Sequence, residues 1–146
     1  MRRVAHNMMP ETLVKFGLDT ALKDFINDIN QNGALKVTYQ SIGLTNVEVG
    51  QTTAITIYRI VQELLNNTMK HAAARNAIVQ VSKADHVISV TVEDDGKGFD
   101  PAEIGTKETA GLGLRNMHSR TSLIGAELVV RSSAASGTEI TIILPH

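Results

Sequence analysis

Two pairs of alternating apolar segments constrain the fold of this chain more than any other feature. NAIVQVSKA (76–84) and HVISVTVEDD (86–95) alternate apolar and polar residues and are separated by a short turn, a pattern typical of neighbouring half-buried strands. A second hairpin is predicted from ELVVRSS and TEITIILP, which lie on either side of AASG. One more strand is predicted at LKVTYQSI (35–42). Because the strands cluster in pairs between helices, we expect an α+β two-layer sandwich, with a mixed or antiparallel sheet packed on helices.

Three helices are predicted around these strands. The first follows Pro10 and ends at Asn32-Gly33, the second spans about residues 51 to 74, and the third spans 112–126 and ends at Gly125. Between the first pair of strands and the third helix, GKGFDPAEIGTKETAG (96–111) contains four glycines and one proline. We expect a mobile loop of about 15 residues there, and loops of that length in compact domains are usually functional or disordered.

Composition excludes several classes of function. A chain of 146 residues indicates one domain, and its net charge of −1 with only 3% aromatic residues argues against binding to nucleic acid or to an anionic membrane. The absence of cysteine excludes disulfides, thiolate metal sites and a cysteine nucleophile, and it fits a reducing compartment. No apolar run approaches the ~18 residues of a membrane span, and no signal peptide is visible. For this piece of chain, we therefore expect no membrane contact.

The second helix carries a polar stripe beside its apolar face. The apolar face is predicted to contain Ile57, Ile60, Val61, Leu64 and Thr68. Glu63, Asn67 and Lys70 follow one another at i, i+4 and i+7, and His71 lies between this stripe and the apolar face. The helix alone leaves two interpretations open: a solvated face, or a site in which the amide oxygen of Asn67 binds Mg²⁺, Glu63 orients or deprotonates an attacking group, and Lys70 meets a phosphate.

Three glycine-containing stretches suggest a nucleotide site. In VEDDGKGF (92–99) an acid at a strand end can accept a hydrogen bond from an exocyclic amine, while Gly96 and Gly98 allow close approach of a planar ligand. GLGL (111–114) opens a predicted helix, whose free N–H groups favour phosphate, and Gly137 with Thr138 begins the last strand. Each stretch alone also fits a turn, a hinge or a hairpin. Neither GxGxxG nor GxxxxGK[ST] occurs here.

The order of these motifs resembles one superfamily, the ATP-binding domains of sensor histidine kinases, type II topoisomerases, mismatch-repair ATPases and heat-shock chaperones. QELLNNTMKHA resembles the N box of the histidine-kinase catalytic domain, VEDDGKGF its first glycine box and GLGLRNM its second. The likeness covers roughly residues 14–145. The tail from 111 onward resembles a subfamily whose output partners are often DNA-binding response regulators. The implied architecture is the Bergerat ATP-binding fold.

The resemblance implies a role for each matching residue. Asp94 would accept from the adenine amino group, Asp95 would be a variable position, and Asn67 would bind Mg²⁺ bridging the phosphates. Glu63 would order the phosphoryl acceptor or a water, and Lys70 would touch phosphate. The remaining implied ATP-binding residues are His71, Gly96, Gly98, Gly111, Leu112, Gly113, Leu114 and Thr138. Residues 99–110 would form the lid over ATP.

The resemblance also implies partners. Residues 1–12 would be the end of a dimerisation helix and a linker, and residues 13–146 the ATP-binding domain. His6 is followed by Asn7, whereas the family's phosphoacceptor His is usually followed by an acid. We therefore expect the acceptor His on a dimerisation domain outside this chain. The resemblance further implies that a response regulator receiver domain is the next partner, that the parent sensor is a homodimer, and that this chain is a cytoplasmic part of it.

Three alternatives remain open from the sequence. The chain could be an anti-sigma-factor serine kinase, a nucleotide-binding regulatory module without transfer activity, or an ATP-hydrolysing conformational machine of the topoisomerase or chaperone kind.

Overall fold

The computed structural model describes residues 11–33, 35–43, 50–71, 74–96, 119, 121–132 and 137–145, with the side chains of residues 12, 71 and 132 excepted. These residues form two long helices and a five-stranded sheet. The elements are α1 (Glu11–Asn32), β1 (Lys36–Ile42), α2 (Gln51–His71), β2 (Asn76–Ala84), β3 (Val87–Asp94), β4 (Glu127–Ser132) and β5 (Thr138–Pro145).

The sheet is mixed, with strand order β1-β2-β3-β5-β4. β1 runs parallel to β2, and every other neighbouring pair is antiparallel. A parallel pair needs a crossover connection, which α2 provides between β1 and β2. The predicted α+β architecture is confirmed, and the choice between a mixed and an antiparallel sheet is settled as mixed.

The core lies between the helices and one face of the sheet. α1 contacts β1 and α2, and α2 contacts β3. Alternate strand residues on this face are buried, as the predicted period of two requires, among them Val79, Val81, Ile88, Val90 and Ile142. Full burial of each such side chain contributes about 1.5–3 kcal/mol relative to exposure. In the described strands, the opposite face combines Thr, Ser, Gln and Glu with exposed apolar residues such as Ile42, Ile78 and Val87.

α1 is interrupted, whereas the sequence predicts one continuous helix. Gly17 has φ 89° and ψ 178°, which is not a helical conformation and is one that L-residues with a Cβ rarely adopt. The chain therefore changes direction there. Before the break, Leu13 is buried but Val14 and Phe16 are exposed, whereas Leu18 and Leu22 after it are buried.

Hydrogen bonds from side chains attach α1 to β1. The Asn30 side chain donates to the Val37 carbonyl (3.0 Å) and accepts from its N–H (2.7 Å). The Tyr39 hydroxyl donates to Asp19 Oδ1 at 2.7 Å. Burial raises the pKa of Asp19, but hydrogen bonds from Tyr39 and Lys23 outweigh it and leave that pKa below its usual value. Burial, and then the bond to Asp19, raise the pKa of Tyr39.

Most predicted boundaries are correct to within one residue, and α2 is shorter than predicted. It ends at His71, and Ala74 is not helical, although the predicted helix extends to 74. Of the predicted helix over 112–126, the structure describes helical residues at 119 and 121–123. Its predicted end is confirmed, since the N–H groups of Gly125 and Ala126 donate to the carbonyls of Ser122 and Thr121.

Candidate functional site

The end of α2, the end of β3 and the start of β5 meet at one edge of the fold. Asp94, the last residue of β3, pairs with Thr138, the first residue of β5. α2 packs against β3, and the Thr68 hydroxyl in its last turns lies 3.4 Å from Asp94 Oδ2. Two motifs that are 26 residues apart in the sequence are therefore brought into direct contact, as the nucleotide-site prediction requires.

The burial of α2 fixes the direction of its polar stripe. Thr68 is only 5% exposed, and the whole predicted apolar face is buried. Glu63 and Asn67, which flank that face, are half-buried, and Lys70 is exposed. Glu63 takes part in at least one further polar interaction. The stripe thus lies beside the buried, sheet-facing surface of α2 and remains partly accessible to solvent.

The Asp94 carboxylate is held in place by its neighbours. The Gly96 N–H donates to Asp94 Oδ1 at 2.8 Å. The Thr68 hydroxyl has one proton, and it donates to the Leu64 carbonyl at 2.9 Å, which is closer than its 3.4 Å approach to Asp94 Oδ2. The contact with Asp94 Oδ2 is therefore the weaker of the two, and Oδ2 can still accept a hydrogen bond from another donor. The half-exposed carboxylate therefore has a set orientation and room for a donor from a ligand.

Gly137 supports Asp94 from the neighbouring strand. Its φ is +84°, and a Cβ at this position would collide with the Asp94 carbonyl oxygen. No side chain fits there without moving the end of β3. Thr138 follows directly and is half-buried beside Asp94. The sequence predicted this glycine-threonine pair at a strand start, and the structure adds that the glycine permits close backbone packing behind Asp94.

Asp95 forms more hydrogen bonds than the sequence predicted for a variable position. Its Oδ1 accepts from the N–H groups of Arg75 (2.9 Å) and Asn76 (3.0 Å), and its Oδ2 accepts from Asn76 Nδ2 (2.9 Å). These bonds, with that of the Asn76 side chain the largest, lower the pKa of Asp95 to about 2. The only sequence signal was an acid before glycine at a strand end. Its partners, 19 and 20 residues away, become apparent only from the β2–β3 register.

Several predicted site residues lie outside the described part of the chain. They are Gly98, Gly111, Leu112, Gly113 and Leu114, together with the predicted lid over 99–110. The backbone of His71 ends α2, but its side chain is not among those described. Among the predicted residues, the structure brings Asp94, Gly96 and Thr138 together. Glu63, Asn67 and Lys70 lie on α2, whose Thr68 reaches Asp94.

Two features are absent from the described residues. Within those ranges, no three or more His, Asp or Glu side chains are grouped so as to hold a metal ion. Neither described helix has an apolar stretch long enough to cross a bilayer.

Comparison with known proteins places this arrangement in a family. Residues 52–146 match the family model described as histidine kinase-, DNA gyrase B-, and HSP90-like ATPase. The chain is 30% identical over 145 residues to the signal transduction histidine-protein kinase/phosphatase DegS of Brevibacillus brevis, covering 99% of the chain and 36% of DegS. It is 31% identical to the sensor histidine kinase MctS of Rhizobium johnstonii, covering 99% of the chain and 31% of MctS.

A solved structure is similar as well. The blue-light activated histidine kinase EL346 of Erythrobacter litoralis superposes with a TM-score of 0.65 at 31% identity, over 85% of this chain and 40% of that one. The chain spans about a third of the length of the two relatives DegS and MctS. The fold, the order of the motifs and the match over residues 52–146 lead to one conclusion: the chain belongs to the histidine kinase-, DNA gyrase B- and HSP90-like ATPase family.

Proposed function

We propose that this chain is the ATP-binding catalytic domain of a sensor histidine kinase. It binds Mg-ATP and transfers the γ-phosphoryl group to a His on a separate dimerisation domain, for relay to a response regulator. One observation carries the proposal: the Thr68 hydroxyl lies 3.4 Å from Asp94 Oδ2, so that the polar stripe of α2 and the acid at the end of β3 border the same site. A protein that binds an adenosine phosphate needs both of these: a hydrogen-bond acceptor for the adenine base and a polar face for the phosphates.

Asp94 binds the adenine base in this proposal. Its carboxylate accepts from the exocyclic amino group, and the Gly96 N–H and the Thr68 hydroxyl set its direction. Gly96 is buried and Gly137 allows close backbone packing, so the base lies against backbone at this edge of the sheet. Thr138, adjacent to Asp94 in the register, closes the polar edge of the pocket. An acceptor fixed in advance selects an amino-bearing base, because a base with a carbonyl at that position would face it oxygen to oxygen.

Asn67 and Lys70 meet the phosphates. Magnesium prefers oxygen ligands and is usually held by one or two protein groups together with water and substrate phosphates. The half-buried amide of Asn67 fits as that single ligand, and the exposed Lys70 amine lies one turn further along the helix. The bound ion would neutralise charge on the transferring phosphoryl group. Gly111, Leu112, Gly113 and Leu114 would contribute N–H groups and a lid at the phosphate end.

Glu63 serves the acceptor. In the transfer, a nitrogen of the acceptor imidazole forms a bond to the γ-phosphorus, and the bond from that phosphorus to the β–γ bridging oxygen breaks, which releases ADP. The acceptor nitrogen must be unprotonated when it attacks, and its orientation decides the rate. Glu63 lies one turn before Asn67 on the same stripe of α2 and is half-buried. It orients the imidazole by accepting a hydrogen bond from its other N–H group.

The domain arrangement is part of the same proposal. Residues 1–12 form the end of a dimerisation helix and a linker, and residues 13–146 form the ATP-binding domain. The parent is a homodimer whose dimerisation domain supplies the acceptor His, and it contacts a response regulator receiver domain. The relatives named above are histidine kinases, which favours this function over the serine kinase, the regulatory module and the ATP-hydrolysing machine.

A transfer assay in trans tests the proposal. The chain is mixed with Mg²⁺, ATP labelled at the γ-phosphate, and a His-bearing dimerisation domain from a related histidine kinase. The expected product is an acid-labile, base-stable phosphohistidine on the added domain. Glu63→Gln should lower the transfer rate by about 100-fold or more while leaving ATP affinity within twofold. Glu93→Gln, the same chemical change on the exposed side of β3, is the matched control and should be neutral.

The outcomes separate the candidate functions. Tight ATP binding without transfer would favour the regulatory module. An acid-stable phosphoester on a serine of a protein substrate would favour the serine kinase. The absence of both ATP binding and phosphoryl transfer would refute the proposal.

A further inference from the structure

The Asp95 carboxylate joins the end of β3 to the segment between α2 and β2. One oxygen accepts from two consecutive backbone N–H groups, of Arg75 and Asn76, and the other accepts from the Asn76 side chain, all within 2.9–3.0 Å. In addition, the Asp95 N–H donates to the Asn76 carbonyl at 3.2 Å. Asn76 is therefore held by its N–H, its carbonyl and its side-chain amide, all by one residue. We call these four hydrogen bonds the Asp95 clasp.

The clasp lies between the two halves of the nucleotide site. Asp94 directly precedes Asp95, and Arg75 and Asn76 follow the last residue of α2 by four and five positions. The same junction is attached on its other side, because the Lys36 N–H at the start of β1 donates to the Arg75 carbonyl at 3.0 Å. The position at which the chain leaves α2 is thus set by β1 and by Asp95. Asn67 and Lys70 lie in the last two turns of that helix.

We infer that Asp95 is a positioning residue of the nucleotide site, which sets the distance and orientation between Asp94 and the phosphate-facing end of α2. The inference rests on the proposed function and names no new contact with nucleotide. The Asp95 side chain bonds Arg75 and Asn76 at the α2–β2 junction and acts through the two elements that it joins. A site that binds a base at one end and phosphates at the other requires those elements to be held within about 0.5 Å of their productive separation.

Two properties of the clasp fit positioning better than a contribution to stability. Asp95 is fully exposed, so water competes for every bond that it makes and its contribution to the free energy of unfolding is small. Its hydrogen bonds to Asn76 and Arg75 hold its pKa near 2, so the carboxylate stays ionised at neutral pH. The clasp is therefore present under the conditions in which nucleotide binds. Its removal should change the geometry of the site more than the stability of the fold.

Two variants and one control test the inference. Asp95→Ala removes the three bonds that the carboxylate accepts. Asp95→Asn keeps an oxygen for the two backbone N–H groups, and its amide nitrogen can donate to the oxygen of a flipped Asn76 side chain. Glu93→Gln removes a neighbouring charge on the outer face of β3 and leaves the clasp intact. For each protein, calorimetry gives the dissociation constants of ADP and of inosine diphosphate, which carries a carbonyl where adenine has its amino group.

We expect Asp95→Ala to weaken ADP binding roughly three- to tenfold and inosine diphosphate binding by less, because ADP alone uses the amino contact to Asp94. The preference for ADP should therefore fall, while Tm changes by less than about 3 °C. Asp95→Asn and Glu93→Gln should both stay within twofold of the wild type for each nucleotide. This split between selectivity and stability would not arise if Asp95 only stabilised the fold.

Amide hydrogen exchange makes the test independent of nucleotide. The Arg75 and Asn76 N–H groups should exchange more slowly in the wild type than in Asp95→Ala. Equal exchange in both proteins would overturn the inference, as would unchanged ADP selectivity in Asp95→Ala or an equally large loss in Asp95→Asn. If those amides are protected but the wild type binds neither nucleotide, the proposed function fails and the positioning role fails with it, although the clasp itself is real.

Discussion

Replacing Gly137 by alanine tests whether close packing behind Asp94 matters to the site. Gly137 has φ +84°, and an added Cβ would collide with the Asp94 carbonyl oxygen. Two costs follow. The left-handed conformation costs about 1–2 kcal/mol for a residue with a Cβ, and the overlap with a backbone atom, which cannot rotate away, costs about 1–3 kcal/mol more.

Gly33→Ala is a matched control because it isolates the first cost. Gly33 has φ +78°, nearly the same conformation, but no atom of the described residues lies within 4 Å of a Cβ built there. It follows the end of α1, and a Cβ there would contact no atom of Asp94. At roughly 3 °C per kcal/mol for a domain of this size, Gly33→Ala should lower Tm by about 3–6 °C. Gly137→Ala should lower it by a further 3–9 °C or so.

Differential scanning calorimetry of the two variants measures the stability terms, and titration with ADP measures the site. The displaced end of β3 carries Asp94, so ADP affinity should fall at least threefold or so in Gly137→Ala and remain at the wild-type value in Gly33→Ala. The reasoning is refuted if both variants lose the same Tm, or if Gly137→Ala binds ADP as tightly as Gly33→Ala does.

Three further predictions concern other groups. Asp94→Asn should weaken ADP binding about tenfold or more, because a carboxylate acceptor is replaced by an amide; calorimetric affinity within twofold of the wild type would exclude the adenine role of Asp94. Asn67→Ala should abolish the Mg²⁺ dependence of ADP binding and leave the circular dichroism spectrum unchanged, so a wild-type dependence would mean that Asn67 is not the metal ligand. Tyr39→Phe should cost about 1 kcal/mol at neutral pH, measured by urea unfolding. Because the folded-state pKa of Asp19 lies below its usual value of 3.8, the stability from this pair is present above about pH 4 and is lost as pH falls below it. The difference between wild type and Tyr39→Phe should accordingly shrink between pH 6 and pH 2.5, and a constant difference would contradict the role of the Tyr39–Asp19 bond.

Local periodicity was enough to locate the two long helices and five strands that the structure describes. The apolar face of α2, including Thr68, is buried as the 3.6-residue repeat predicts, and alternate residues of β2 and β3 face the core as the two-residue repeat predicts. The parallel pairing of β1 with β2 could not be predicted from the sequence. Whether two strands pair in parallel depends on the path of the connecting helix α2, not on the residues of either strand. The interruption at Gly17 was not predicted because glycine is tolerated within helical patterns, and only tertiary packing decides whether the helix breaks there.

The candidate site was predicted by residue type but not by its supporting contacts. Asp94, Asn67 and Glu63 could be named because each residue type, at its place in the sequence, suits one role in nucleotide binding or phosphoryl transfer. The sequence could not predict the close packing of Gly137 behind Asp94 or the Asp95 clasp, because both depend on which backbone atoms the sheet register brings together. An exposed acid before glycine fits an ordinary turn equally well, so no local pattern distinguished Asp95 from a variable surface residue.

Thermal unfolding with ADP, in the presence and in the absence of Mg²⁺, tests the central claim most directly. Ligand at about 100 times its dissociation constant should add roughly 2.7 kcal/mol to the free energy of unfolding, a rise in Tm of several degrees for a domain of this size. The account predicts a rise with ADP that is larger with Mg²⁺ in the wild type and independent of Mg²⁺ in Asn67→Ala. No rise at millimolar ADP with Mg²⁺ would contradict it.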